Sequence, residues 1–127
     1  MQTLMVQRRD PELRAYFVWG LYQGADSEAR AREAAEKYAA PGTAHFWMPN
    51  ATLSTDLAGI LKLGAGRIPF DVYLLYRRGV IWESRVPLPG YWQQQNGLVQ
   101  GDVFDIARLE ARIQQFLGSP RRAPGDA

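Results

Sequence analysis

The stretch that most limits how this chain can fold runs from Arg67 to Trp82, RIPFDVYLLYRRGVIW. Ile68, Phe70, Val72, Leu74 and Tyr76 fall on one face at period two, and Tyr73 and Leu75 make the opposite face apolar as well. A strand that is apolar on both sides belongs in a sheet covered on both faces. Arg77, Arg78 and Gly79 then supply a polar turn in which the glycine tolerates positive φ, and Val80, Ile81 and Trp82 resume an extended run. The pair reads as an antiparallel hairpin at the centre of the sheet. Pro69 stands at the strand's entry, where its missing N–H costs least.

Upstream, Thr3 to Gln7 reads as a short strand and Asp10-Pro11 as a cap or turn. Ala15 to Tyr22, AYFVWGLY, is aromatic and β-branched on both faces and reads as a buried strand. The next element is a helix capped by Asp26 or Ser27, with Ala31, Ala34, Ala35 and Tyr38 as an i, i+3, i+4, i+7 stripe and Pro41-Gly42 as its stop. Thr43 to Met48, TAHFWM, is a further strand. A helix follows in which Leu53, Leu57, Ile60 and Leu61 share a face and Gly64 supplies a left-handed cap.

Downstream of the hairpin, Pro87 to Gly101 carries too much proline and glycine for regular structure and reads as a long loop presenting Tyr91 and Trp92. Asp102 and Asp105 open a last helix with Ile106, Leu109, Ile113, Phe116 and Leu117 buried and Gly118 as its stop. Ser119 to Ala127 reads as a disordered tail. The order of elements predicts an α/β sandwich with a mixed sheet, a C-terminal hairpin and a closing helix, in one domain over residues 1–118.

Composition excludes several chemistries. The 127 residues contain no cysteine and one histidine, which removes thiol nucleophiles, disulfides and thiolate metal ligands together and nearly excludes metal sites, so neither a metal nor a cofactor is expected. Basic and acidic residues, 15 against 13, are interspersed, and two tail arginines, Arg121 and Arg122, are too few to argue for nucleic acid. The longest apolar runs fall short of the ~18 residues of a membrane span, and the first arginines follow the apolar residues, opposite to a signal peptide. A soluble, cytoplasmic protein with no nucleic-acid or membrane partner is the expectation.

Several features together resemble the thioredoxin-like superfamily, in its peroxiredoxin and TlpA-like branch. The helix before Ile68-Pro69, the strand after it, a hairpin and a closing helix look like the C-terminal half of such a domain. AYFVWGLY, SEARAREAAEKYA and TAHFWM look like an added strand-helix-strand unit, and HFWMPN and FDVYLLY are similar to stretches of a thioredoxin-like group in which HFWDP-like and DVYLLY-like sequences recur. The resemblance covers Pro11 to Leu117 and implies a cis Ile68-Pro69 bond. The chain departs from the family in lacking the N-terminal strand and helix that carry Cys-x-x-Cys.

Three functional expectations follow. The first is a non-catalytic thioredoxin-like module that binds a protein or peptide, or a second copy of itself as a homodimer, through a groove near Ile68, Pro69, Arg67 and Asp71 and the Tyr91-Trp92 loop. In the second, the chain is a shortened relative of a thiol-disulfide oxidoreductase whose redox segment is lost or encoded elsewhere. The third is a small-molecule enzyme using Asp71, His45 and Arg67 at the strand ends. Each of those three residues also has a structural role open to it: Asp71 paired with Arg67 or Arg77 or facing water, His45 within a strand, and Gly64 to Arg67 as a helix stop.

Overall fold

The computed structural model describes residues 2–8, 10–20, 27–64, 66–95, 97–98 and 100–118. The chain gathers into two compact units, Met1–Leu53 and Ser54–Ala127. It is a mixed α/β protein with four helices and five strands among the described residues.

In the first unit the chain begins as a helix, α1 (Gln2–Arg8), not the strand expected over Thr3 to Gln7. The buried residues show why: Leu4 and Met5 are 3% and 4% exposed, whereas Val6 is open. A strand sends consecutive side chains to opposite faces, while a helix sets neighbours about 100° apart, so it can bury both. Asp10 then accepts from the Glu12 N–H through Oδ1 and from the Leu13 N–H through its carbonyl, forming a turn.

Strand β1 (Ala15–Gly20) and strand β2 (Thr43–Met48) pair in parallel, Phe17 opposite His45 and Trp19 opposite Trp47. Parallel neighbours need a crossover, and helix α2 (Glu28–Lys37) provides it. Ser27 caps α2 by accepting from the Arg30 N–H at 3.2 Å, and Ala31 is the buried member of the alanine stripe. Leu21 to Asp26, including the end of the expected first strand, lie outside the described residues.

Helix α3 (Thr52–Ile60) begins where Asn50 Oδ1 accepts from the Thr52 N–H. Its left-handed cap falls on Lys62 (φ 56), two residues before Gly64. Leu63 N–H donates to the Ala58 carbonyl and Lys62 N–H to the Gly59 carbonyl, the paired bonds of a Schellman turn. That turn swings Leu63 inward, and the core of the second unit forms from Leu61, Leu63 and Leu98, with Ala58, Ile60, Leu74 and Trp92 packed against them.

In place of the single mixed sheet expected, the described strands form two sheets, the β1-β2 pair and a three-stranded mixed sheet in the second unit that is built from other segments than the expected hairpin. Strand β3 covers only Val72–Leu75, and its antiparallel partner is β4 (Tyr91–Gln94), inside the stretch expected to be a loop. Strand β5 (Asp102–Val103) pairs in parallel with β4, giving the order β3-β4-β5. Val80 to Trp82 form no strand and are exposed, so the expected tight hairpin is replaced by an antiparallel pair with a long connection.

Two causes account for the exchange. Asp71 sits at φ 51, which breaks the extended backbone and delays the strand to Val72. Tyr91 to Gln94 then alternate usefully: Trp92 reaches the leucine cluster, while Gln93 turns the other way to the start of the last helix. Three consecutive apolar residues at 80–82 offer no such division. The expectation of a strand buried on both faces also fails, because Val72 to Leu75 are half-buried and Ile68 and Phe70 are exposed.

Helix α4 (Ile106–Leu117) closes the unit as expected. Its cap is Asp105, which accepts from the Arg108 N–H at 3.0 Å, and Leu109 and Ile113 are buried. Asp102 belongs to β5 rather than to the helix. Gly118 is the last described residue, so the tail expected over 119–127 lies outside them.

Candidate functional site

The run Gly66-Arg67-Ile68-Pro69-Phe70 carries the site. Pro69 is almost wholly buried while Ile68 and Phe70, on either side, are 54% and 42% exposed. Extended alternation thus sends the proline inward and the two large apolar side chains outward. The Ile68-Pro69 bond is trans, not cis as the family resemblance implied.

Gly66, Arg67, Ile68, Phe70 and Leu98 line an open cleft of ≈ 240 Å³. Leu98 is fixed there by a buried side chain. Gln94, 1% exposed, donates from Nε2 to the Leu98 carbonyl at 2.9 Å and accepts at Oε1 from the Leu98 N–H at 3.2 Å. A buried amide with both ends engaged holds a segment in one place, because either bond lost leaves a desolvated polar group. The cleft therefore joins three apolar side chains, one of them rigidly held, to the single cation of Arg67. Such a surface suits an apolar side chain with a nearby carboxylate.

Asp71 is not among the cleft-lining residues. Its side chain is exposed, one of the roles the sequence left open, and its carbonyl accepts from the Gln95 N–H at 3.2 Å. Tyr73 donates from its hydroxyl to Gln95 Oε1 and packs with its ring tilted against that of Phe104, the ring centres 4.6 Å apart. Burial, with the Asp71 charge adding to it, pushes the Tyr73 phenol above its ordinary range.

Tyr91 and Trp92 do not form a common lip. They lie on opposite faces of β4. The Tyr91 hydroxyl donates to Asp102 Oδ2 and accepts from Gln93 Nε2, both at 2.9 Å. Arg108 pairs with the same Asp102 oxygen at 3.4 Å, and the Arg112 guanidinium lies 4.9 Å from the Tyr91 ring centre. Burial pushes the Tyr91 phenol up, and Asp102 adds to this while donation from Gln93 opposes it. A phenol held protonated in this way is a hydrogen-bond donor, not a base. Trp92 packs into the leucine cluster, its ring 2.8 Å from where a Cβ on Gly101 would stand.

His45 belongs to the first unit. Its Nδ1 accepts from the Trp19 indole N–H at 3.1 Å, which sets the proton on Nε2. The ring stacks on Phe17 at 4.6 Å and on Trp19 at 6.1 Å. His45 is thus built into an aromatic stack, and of the three residues of the enzyme expectation only Arg67 lines the cleft. A larger opening, ≈ 430 Å³, lies along one side of α2 and is lined by Arg30, Glu33, Ala34, Lys37 and Tyr38. Residues of one helical stretch give it no convergent chemistry.

Among the described residues no group of three or more His, Asp or Glu is placed to hold a metal ion, and no helix is long and apolar enough to cross a membrane. Fold and site together define a mixed α/β protein with an open apolar cleft beside the edge strand of its three-stranded sheet. No family model, curated protein or solved structure matches the chain.

Proposed function

We propose that this chain is a non-catalytic thioredoxin-like module that binds an extended segment of a protein or peptide in the cleft of Arg67, Ile68, Phe70 and Leu98. The observation that carries this reading is the outward display of Ile68 and Phe70 around a buried Pro69, next to edge strand β3. Exposed apolar side chains clustered at a cleft favour a partner, and an edge strand offers backbone groups to an extended chain. The thioredoxin-like element rests on order: helix α3, the Pro69 step, strand β3, an antiparallel partner and closing helix α4.

The test is selection of peptides from a random displayed library, followed by titration of the enriched sequences against the whole chain. Enriched peptides should carry an apolar residue near an acidic one, and Ile68→Asp and Phe70→Asp should each weaken them at least tenfold without changing the circular dichroism. Enrichment of nothing above background, or titrations indifferent to both variants, would overturn the binding reading. Insulin reduction above background would overturn the non-catalytic part.

A second reading, self-association, is favoured by the first unit. Tyr16, Val18 and Phe46 are exposed together on one face of the β1-β2 pair. Thr3 to Gln7, expected as a strand, is helical and so offers no strand edge for pairing across a two-fold axis.

A further inference from the structure

The connection between β3 and β4 is closed at its base and apolar at its tip. The Tyr76 hydroxyl donates to the Pro87 carbonyl and the Gly90 N–H to the Leu75 carbonyl, each at 2.9 Å. The two ends are thereby tied together in the manner of a compact surface loop. Within it, the Val80 N–H meets the Arg77 carbonyl at 3.4 Å across Gly79, whose φ of 85 suits only glycine readily.

What this loop displays is unusual for a solvated turn. Ile81 is 72% exposed and Leu88 70%, and Val80 and Trp82 are each 43% exposed. Trp82 is braced from behind, its ring edge-on to Tyr76 at 5.6 Å. The loop carries exposed Arg77, Arg78 and Arg85 and one exposed acidic residue of its own, Glu83, a local excess of +2 that equals the net charge of the whole chain. The Arg77 guanidinium lies 4.3 Å over the Phe116 ring, which orients it without neutralising it.

We propose that this loop docks on the surface of an anionic bilayer, with Val80, Ile81 and Trp82 entering the interfacial layer and Arg77, Arg78 and Arg85 lying level with the lipid phosphates. Tryptophan beside aliphatic residues and arginine is the side-chain set that partitions to that depth. The loop lines neither the Arg67–Phe70 cleft nor the opening along α2, so a protein partner would have to bring a pocket shaped to it, whereas a fluid acyl layer needs none. A second copy would set arginines against arginines. Each cation near an anionic surface raises affinity about fivefold, so the charged ring and the apolar tip supply the two signals that stable surface binding requires. This surface is separate from the Arg67–Phe70 cleft.

The test is co-sedimentation of the full chain with vesicles of phosphatidylcholine alone and of equal parts phosphatidylcholine and phosphatidylserine. The chain should pellet with the anionic vesicles and not with the neutral ones, and added salt should release it. Ile81→Asp and Arg85→Glu should each weaken pelleting at least about fivefold, the effect of one charge at the surface. Ile68→Asp in the cleft should leave it unchanged. Absence of pelleting with the anionic vesicles would overturn the proposal. So would pelleting unaltered in both loop variants, or loop variants that change only self-association or peptide binding.

Discussion

Gln93 and Asp105 hold each other by two hydrogen bonds: Gln93 Nε2 donates to the Asp105 carbonyl at 3.1 Å, and the Asp105 N–H donates to Gln93 Oε1 at 3.2 Å. Gln93 is completely buried, so this pair fixes strand β4 to the capping residue of helix α4 through a side chain that water does not reach. Replacing Gln93 with leucine keeps the volume but takes the partner from the Asp105 N–H, while the Asp105 carbonyl keeps its bond from the Leu109 N–H at 2.9 Å. At about 1 to 3 kcal/mol for one donor left unsatisfied, Gln93→Leu should cost about 1 to 3 kcal/mol in urea unfolding. Gln7→Leu, at an exposed position, should stay within about 0.5 kcal/mol.

That clamp also shows where the sequence was legible. Helix α4, its cap at Asp105 and its buried Leu109 and Ile113 follow from a 3.6-residue period and a capping side chain, both of them local signals. The β1-α2-β2 unit follows likewise from β-branched and aromatic runs around an alanine stripe. Strand β4 was not legible, because YWQQ between prolines and glycines looks like loop until the two glutamines find partners four and twelve residues away. Only tertiary contact makes a buried glutamine cheaper than an exposed one. The cleft was half legible. Ile68, Pro69 and Arg67 stood out as a step into a strand, but Leu98 is brought there by Gln94, and no periodicity announces that.

Leu98→Ala should destabilise more than Leu74→Ala. Leu98 is 9% exposed and belongs to the leucine cluster, while Leu74 is half-buried and packs on its margin. Deletion of a buried leucine costs about 2 to 5 kcal/mol, and a half-buried one leaves a smaller cavity, so about 1 to 2 kcal/mol is expected at Leu74. Thermal melts of both variants give the order, and a reversal would mean that the cluster is centred elsewhere.

Lys62 holds a left-handed conformation that a side chain disfavours by about 1 kcal/mol. Lys62→Gly should therefore stabilise the chain by about 0.5 to 1 kcal/mol, offset in part by the greater entropy of glycine in the unfolded state. Lys62→Val, β-branched, should destabilise it. Chemical unfolding midpoints for the two variants should move in opposite directions.

Stability should fall in alkali through the half-buried tyrosines. Burial pushes the Tyr76 phenol up to about 12 from an ordinary 10.0. Below pH 10 both folded and unfolded chains keep this proton. Between about pH 10 and 12 the unfolded chain releases it while the folded one retains it, so rising pH favours unfolding across that window. Tyr73 and Tyr91, also raised, act in the same direction. Urea midpoints should decline across this range, and Tyr76→Phe should make the decline shallower while losing the bond to Pro87 at every pH.

Self-association, finally, should be real but weak. Parallel pairs such as β1-β2 are normally covered on both faces. One face carries Phe17, Trp19 and His45 in a stack that Tyr38 extends at 6.3 Å from Trp19. The other displays Tyr16 at 67%, Phe46 at 50% and Val18 at 39% exposure, with the first two rings 6.2 Å apart. A two-fold axis would lay this patch against its own copy. Those three side chains offer roughly 300 Å² per protomer, well short of the ~800 Å² of a stable interface. Light scattering should accordingly return a mass close to 14.3 kDa in dilute solution and climb towards twice that value as concentration rises. Phe46→Asp, which sets like charges face to face across the axis, should hold the mass at 14.3 kDa throughout. A wild-type chain that never departs from the monomer mass, or a Phe46→Asp chain that associates equally well, would remove this face as the contact.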